Sequence, residues 1–232
     1  MKHTEIVFII DKSGSMSHLV GDTIGGFNGF IASQKALEGK ATLTTVLFDT
    51  TWRLLHDGVD IQEVKPMTTA EYYAGGGTAM LDAIGDTINR VQDRHDELGN
   101  EKPDNVLFVI TTDGEENSSR KFKKAQIEKM IKHQTNGHGW EFMFLGANMD
   151  AVKEAANLGI SYDRAVTYDY SNMGTKAVYD TITCAASAVR CDALADDFNL
   201  STAYATSVDA CEAVTAKLYT DTPLETKITI TG

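Results

Sequence analysis

Two short runs of this chain are apolar at almost every position, Ile6 to Ile10 and Val106 to Ile110. Such runs suit central strands covered on both faces, because a strand with one wet face alternates apolar and polar residues. Elsewhere the apolar residues fall at helical spacing. Ile24, Phe27, Phe30, Ile31 and Leu37 predict a helix within Leu19 to Leu37 that stops at Gly39, and Leu81, Ile84, Ile88 and Val91 predict another over Ala79 to Val91. Ala41 to Phe48 and Trp52 to Asp57 read as two strands joined by the tight turn Asp49-Thr50-Thr51. Val59 to Val64 fits neither period and leads into a loop from Lys65 to Thr78. Further on, the pattern predicts a strand over Asn105 to Thr112, a helix over Lys121 to Gln134 and a strand over Trp140 to Gly146. A short helix over Ala151 to Leu158 and a strand over Ala165 to Tyr168 follow.

Strands alternating with helices predict an α/β fold, doubly wound, with a mostly parallel central sheet, one antiparallel edge strand from the hairpin, and helices on both faces. From Asn172 the texture changes to Ala-rich helical stretches, Lys176 to Leu194 and Ser201 to Leu218. The tail Lys227 to Thr231 alternates Thr with apolar residues, as a half-buried terminal strand would. The expected organisation is one domain over residues 1–198 and a C-terminal extension over 199–232, helical and then a possible strand.

Charge narrows the function. With 21 basic and 33 acidic residues the chain carries a formal net charge of -12, which argues against a nucleic-acid partner, since phosphate backbones select basic surfaces. No apolar run approaches the roughly 18 residues of a spanning helix, so no membrane role is expected. Met1 to Thr4 runs straight into the first strand, so no secretory leader is expected. Cys184, Cys191 and Cys211 form no CxxC pair, as expected of free thiols in a reducing, cytoplasmic setting. Cys184 and Cys191, seven residues apart, would share one helix face and belong to the core. Arg120 to Lys124 reads as a solvated helix face, or as a local patch attracting an acidic partner.

Three separated turns share one chemistry: Asp11-Lys12-Ser13-Gly14-Ser15, Gly75-Gly76-Gly77-Thr78 and Thr111-Thr112-Asp113-Gly114. Asp11 and Asp113 each follow an apolar strand, so both carboxylates emerge where ligands bind in open parallel sheets. Each turn alone has an ordinary reading, Thr78 for example as the N-cap of the following helix. Together they offer only oxygen, without thiolate or imidazole, and that set selects a hard cation, Mg²⁺ before Mn²⁺ or Ca²⁺. Glycines ahead of Thr78 would let the backbone approach the ion unobstructed. Lys12 and Met16 flank the ligands as candidate partner contacts. Glu115 and Glu116 are open to reading as a general base, or as acids that begin a loop or a helix N-terminus and interact favourably with its dipole, and Asn148 and Asp150 as contacts behind the ion or to the partner, or as a capping turn.

Asp11, Ser13, Ser15, Thr78 and Asp113 resemble the metal-ion-dependent adhesion site of the von Willebrand factor A family, Asp-x-Ser-x-Ser followed by a Thr and an Asp, filling all five positions. The resemblance runs from about Lys2 to about Leu194 and is to small bacterial or phage-type intracellular members. It implies that the two Ser and the Thr contact the metal directly, that the Asp residues act often through water, and that a protein partner donates a Glu or Asp to an open coordination position. A metal-dependent interaction module, not an enzyme, is the expectation. The alternative is a Mg²⁺-dependent phosphohydrolase or a phosphoryl-accepting switch. Ser13 weakens it, because a phosphatase of the haloacid-dehalogenase kind would place a second Asp there and a receiver domain would carry an acidic pair.

Overall fold

The structure, a computed structural model, describes residues 2–221 apart from Asn148 and Asp196, and from residue 211 onward only the backbone. The strands are β1 (His3–Asp11), β2 (Lys40–Phe48), β3 (Trp52–Asp60), β4 (Asn105–Thr112), β5 (Glu141–Ala147) and β6 (Ala165–Tyr168). The helices are α1 (Val20–Lys35), α2 (Met80–Leu98), α3 (Lys124–His138), α4 (Ala151–Asn157), α5 (Asn172–Arg190) and α6 (Leu200–Asp221).

The six strands form one sheet in the order β3-β2-β1-β4-β5-β6. All neighbours are parallel except β2 and β3, so the antiparallel strand lies at an edge, as the hairpin predicted. Alternation along β1 divides the core. Ile6, Phe8 and Ile10 face α1 and α5, while Val7 and Ile9 face α2, α3 and α4. Phe8 shows why the run is continuous: its ring meets Phe27 and Phe30 edge-on at 5.7 and 4.9 Å. Burying such a side chain contributes on the order of 2–3 kcal/mol.

One expectation about the rest of the chain changes, and another is met. Cys184 and Cys191 are both exposed, because α5 turns Ile182, Ala185, Ala186 and Val189 inward, which leaves Cys184 off the buried face, and Cys191 follows the end of the helix. The apolar set, not the seven-residue spacing, decides which face is buried. The helix predicted from Ser201 starts at Leu200, whose side chain is fully buried in the α1 and α5 layer, and α6 packs along α5 and β6. The strand expected over Lys227 to Thr231 lies outside the described residues.

This topology positions the site. β1 and β4 are parallel neighbours, in register from Thr4 beside Asn105 to Ile10 beside Thr111. The chain leaves β1 toward β2 on one side, and the rest of the parallel sheet builds outward from β4 on the other. That reversal opens a crevice at the carboxyl ends of β1 and β4, where Asp11 and Asp113 stand.

Candidate metal centre

Four of the five predicted residues are nearly inaccessible: Asp11 is 0%, Ser13 2%, Thr78 3% and Asp113 5% exposed. Ser15 is exposed at the mouth. Ser13 Oγ and Ser15 Oγ are 3.0 Å apart, and Ser15 Oγ donates to Asp113 Oδ1 at 2.6 Å. A Cβ placed on Gly114 would be 3.5 Å from Thr78 Oγ1 and 3.7 Å from Ser15 Oγ, so the hydroxyls of two separate loops converge beside the Asp113 turn. Asp11 stands behind this group. Its Oδ1 accepts from the Ser13 N–H and its Oδ2 from Thr112 Oγ1, both at 2.6 Å.

The electrostatics are unbalanced. Burial pushes the Asp11 carboxyl up to about 6, against the lowering effect of hydrogen bonds from Thr112 and Ser13, and burial likewise raises Asp113. Lys12, inside the same loop, does not relieve them, because its ammonium pairs with Asp49. Asp113 Oδ2 is buried with no hydrogen-bond partner. A polar oxygen in that position is costly unless something else satisfies it. Among the described residues no group of three or more His, Cys, Asp or Glu is arranged to hold a metal. A cation here depends on the hydroxyls, and the donor set is hard and fits such an ion.

Other segments fix the three loops. The β2–β3 turn braces two of them: the Lys12 N–H donates to the Phe48 carbonyl at 2.7 Å, the Gly77 N–H to Thr50 Oγ1 at 2.8 Å and the Ala79 N–H to the Asp49 carbonyl at 2.6 Å. The first two loops also bond each other, Gly14 N–H to the Gly76 carbonyl and Gly75 N–H to the Lys12 carbonyl. Thr78 does not cap α2. Its hydroxyl makes no cap bond there, and the start of α2 is held instead by Glu116 on the Leu81 N–H and by Ser119 Oγ on the Asp82 N–H. That substitution leaves the Thr78 hydroxyl free of a cap bond, beside the Gly114 turn.

Glu116 is therefore not a free base: it sits at a helix N-terminus, that of α2, where an acid is favourable. Its carboxylate accepts from the N–H groups of Leu81, Ser118 and Ser119 and from Ser119 Oγ, at 2.7–2.9 Å. Asn117 Oδ1 accepts from the Thr78 N–H at 2.9 Å. The missing Cβ of Gly77 makes room for these groups rather than for an ion, since it would lie 2.3 Å from Ser118 Oγ and 2.8 Å from Asn117 Oδ1. Glu115 stays exposed.

The flanking residues also change role. Lys12 and Met16, expected as partner contacts, are 4% and 2% exposed. Lys12 turns toward the hairpin, and Met16 is drawn inward by the 3-10 turn Gly14–Leu19. Asp150 takes the capping reading, its Oδ1 accepting from the Lys153 N–H at 3.0 Å, and Asn148 lies outside the described residues. Of the basic cluster, Lys121 pairs with Asp86 and Lys124 with Glu154, the solvated reading. Two tyrosines were missed altogether. Tyr72, fully buried, donates to the Asp11 carbonyl at 2.6 Å, and Tyr170 donates to the Ser15 carbonyl. Neither carries a local motif. Only their positions in the fold reveal them.

No family model matches the sequence, and no curated protein sequence matches it. Solved structures do match the fold. Proximal thread matrix protein 1 from the mussel byssus, determined with a zinc-occupied MIDAS motif, aligns over 78% of this chain and 45% of its own, with 16% identity and a TM-score of 0.54. A von Willebrand factor type A protein from Catenulispora acidiphila aligns over 79% and 42%, with 16% identity and a TM-score of 0.53. The pilus adhesin SpaC from Lactobacillus rhamnosus GG gives 79% and 30%, with 14% identity and a TM-score of 0.61. The chain thus spans less than half the length of these structures. Its six-stranded sheet, mostly parallel with one antiparallel edge strand and helices on both faces, has the fold of von Willebrand factor A domains.

Proposed function

We propose that this chain is a non-enzymatic, metal-dependent protein-interaction module. Ser13, Ser15 and Thr78, with Asp11 and Asp113 behind them, would hold Mg²⁺, with Mn²⁺ or Ca²⁺ as substitutes. The unpartnered Asp113 Oδ2 beside the converging hydroxyls carries this reading. The bound ion supplies an open coordination position of fixed direction, which a Glu or Asp carboxylate of a partner protein fills. Ser15, exposed at the mouth, faces that partner, while the buried Asp11 and Asp113 set the charge behind it. Without the ion the two carboxylates would repel an incoming carboxylate; the divalent ion cancels that repulsion and offers it a coordination bond, so a partner's acid is admitted only while the ion is present.

The phosphoryl-transfer alternative is less supported, since of the two acids nearest the Asp113 turn neither is held toward the site. Glu116 is fully engaged with four donors and Glu115 points to solvent. A cytoplasmic setting belongs to the proposal and is supported by the free thiols of Cys184 and Cys191. No helix among the described residues is long and apolar enough to cross a membrane.

Calorimetric titration with Mg²⁺ and Mn²⁺, comparing the native sequence with Asp113→Ala, tests the site. Loss of a charged group behind the ion should weaken the metal by about 10–100-fold or more. Capture of partners from the native cell should then require the metal and fail for Asp113→Ala. Equal metal affinity in the variant, or equal capture in excess chelator, would refute the proposal.

A further inference from the structure

Tyr170 comes from the connection between β6 and α5, yet its hydroxyl donates to the main-chain carbonyl of Ser15, 155 residues away in sequence. It reaches the one ligand residue that is exposed and least held by its surroundings. Asp11 and Ser13 are buried and bonded to each other, and Lys12 and Gly14 are bonded to the hairpin and the glycine loop. Beyond Gly14 the loop enters its 3-10 turn, and Tyr170 fastens that side from outside.

The residue is presented by a built turn, not a loose loop. The Ser171 N–H donates to the Asp169 carbonyl at 2.8 Å, and Ser171 Oγ accepts from the Gly174 N–H at 3.0 Å, closing the first turn of α5 over the segment. The Asp169 N–H donates to Tyr204 Oη at 3.2 Å. Gly174 is required by this packing, since a Cβ there would lie 2.1 Å from the Asp169 carbonyl oxygen. Three contacts therefore fix the backbone on either side of Tyr170 before its side chain reaches the ligand loop.

We infer that Tyr170 is a positioning residue for the metal centre, holding the Ser15 main chain so that Ser15 Oγ stays aligned with Ser13 Oγ and Asp113. This rests on the metal-site reading proposed above. A phenol that only filled space would serve as well without its hydroxyl. A positioning phenol would not, because a single hydrogen bond then separates an aligned ligand from one that must be ordered at the moment of binding.

The test is Tyr170→Phe, which keeps the ring and deletes the bond, with Gly174→Ala as a second variant that moves the turn and leaves Tyr170 intact. Mg²⁺ and Mn²⁺ affinities are read by calorimetry on the full chain, with the melting temperature of the metal-free protein alongside. Tyr170→Phe should weaken both ions about fivefold, the factor a hydrogen bond of ordinary net strength supplies, and Gly174→Ala should weaken them in the same direction. Asp113→Ala separates the two levels of the claim. If it binds metal as well as the native chain, the site itself is wrong. If it loses metal while Tyr170→Phe keeps native affinity, the positioning role alone is overturned, and a fall in metal-free melting temperature without any change in affinity would make Tyr170 a purely structural contact.

Discussion

In metal-free protein, Asp11→Asn should become relatively more stable as the pH rises. The Asp11 carboxyl titrates near 3.8 in its reference state and near 6 in the fold, chiefly because burial disfavours its charge. A raised carboxyl stabilises the fold fully below the unfolded value and loses that contribution as pH climbs through the folded one. Two pKa units and a little more correspond to about 3 kcal/mol of stability lost between roughly pH 4 and pH 6.5. Asparagine escapes that loss, and like a protonated carboxyl it keeps one oxygen as acceptor for the two donors, the Ser13 N–H and Thr112 Oγ1, that Oδ1 and Oδ2 serve when ionised. The variant should therefore match the native chain within about 1 kcal/mol at pH 4 and be more stable at pH 7.5 by roughly 2–3 kcal/mol. Urea denaturation in excess chelator across that range measures the difference, and the other carboxylates cancel because both proteins carry them. Adding Mg²⁺ at pH 7.5 should reverse the order by stabilising only the native chain. A difference that stays flat from pH 4 to 7.5 would show that Asp11 is not held charged against its burial, and the account of the site's electrostatics would fail.

Gly77→Ala should destabilise the fold by about 1–3 kcal/mol, because its Cβ would overlap Ser118 Oγ and Asn117 Oδ1 and those groups cannot retreat without releasing the Thr78 N–H. Thermal denaturation checks the stability, and metal titration should show weaker binding as Thr78 shifts. Glu116→Ala removes an acceptor used by four donors, three of them main-chain N–H groups. A loss of about 2–3 kcal/mol in urea denaturation is expected, and a loss below about 0.5 kcal/mol would mean that water replaces the clamp without penalty.

The difference between what the sequence revealed and what it hid follows from the range of the interactions. β4 and β6 begin and end at the residues their patterns predicted, and the five oxygen-bearing residues could be named, because apolar periodicity and turn chemistry are local properties. Thr78 marks the limit. A Thr one residue before a helix is the ordinary sign of an N-cap, and only the fold brings Glu116 and Ser119 to the α2 terminus, freeing the hydroxyl for another use. Lys12 failed for the same reason, since its partner Asp49 lies in the β2–β3 turn, far along the chain. The cysteines failed differently: seven-residue spacing says that two side chains share a face, but which face is buried depends on the apolar residues around them and on what packs there. The five proposed ligands are thus the legible part of a larger arrangement. Hydroxyls and carboxylates become a metal centre only when their alternative hydrogen bonds have been taken up by other residues. Here Glu116 and Ser119 do this for Thr78, Asp49 does it for Lys12, and Tyr72 and Tyr170 hold the carbonyls of Asp11 and Ser15. None of these five has a motif of its own, because each is chosen by what it keeps away from the site.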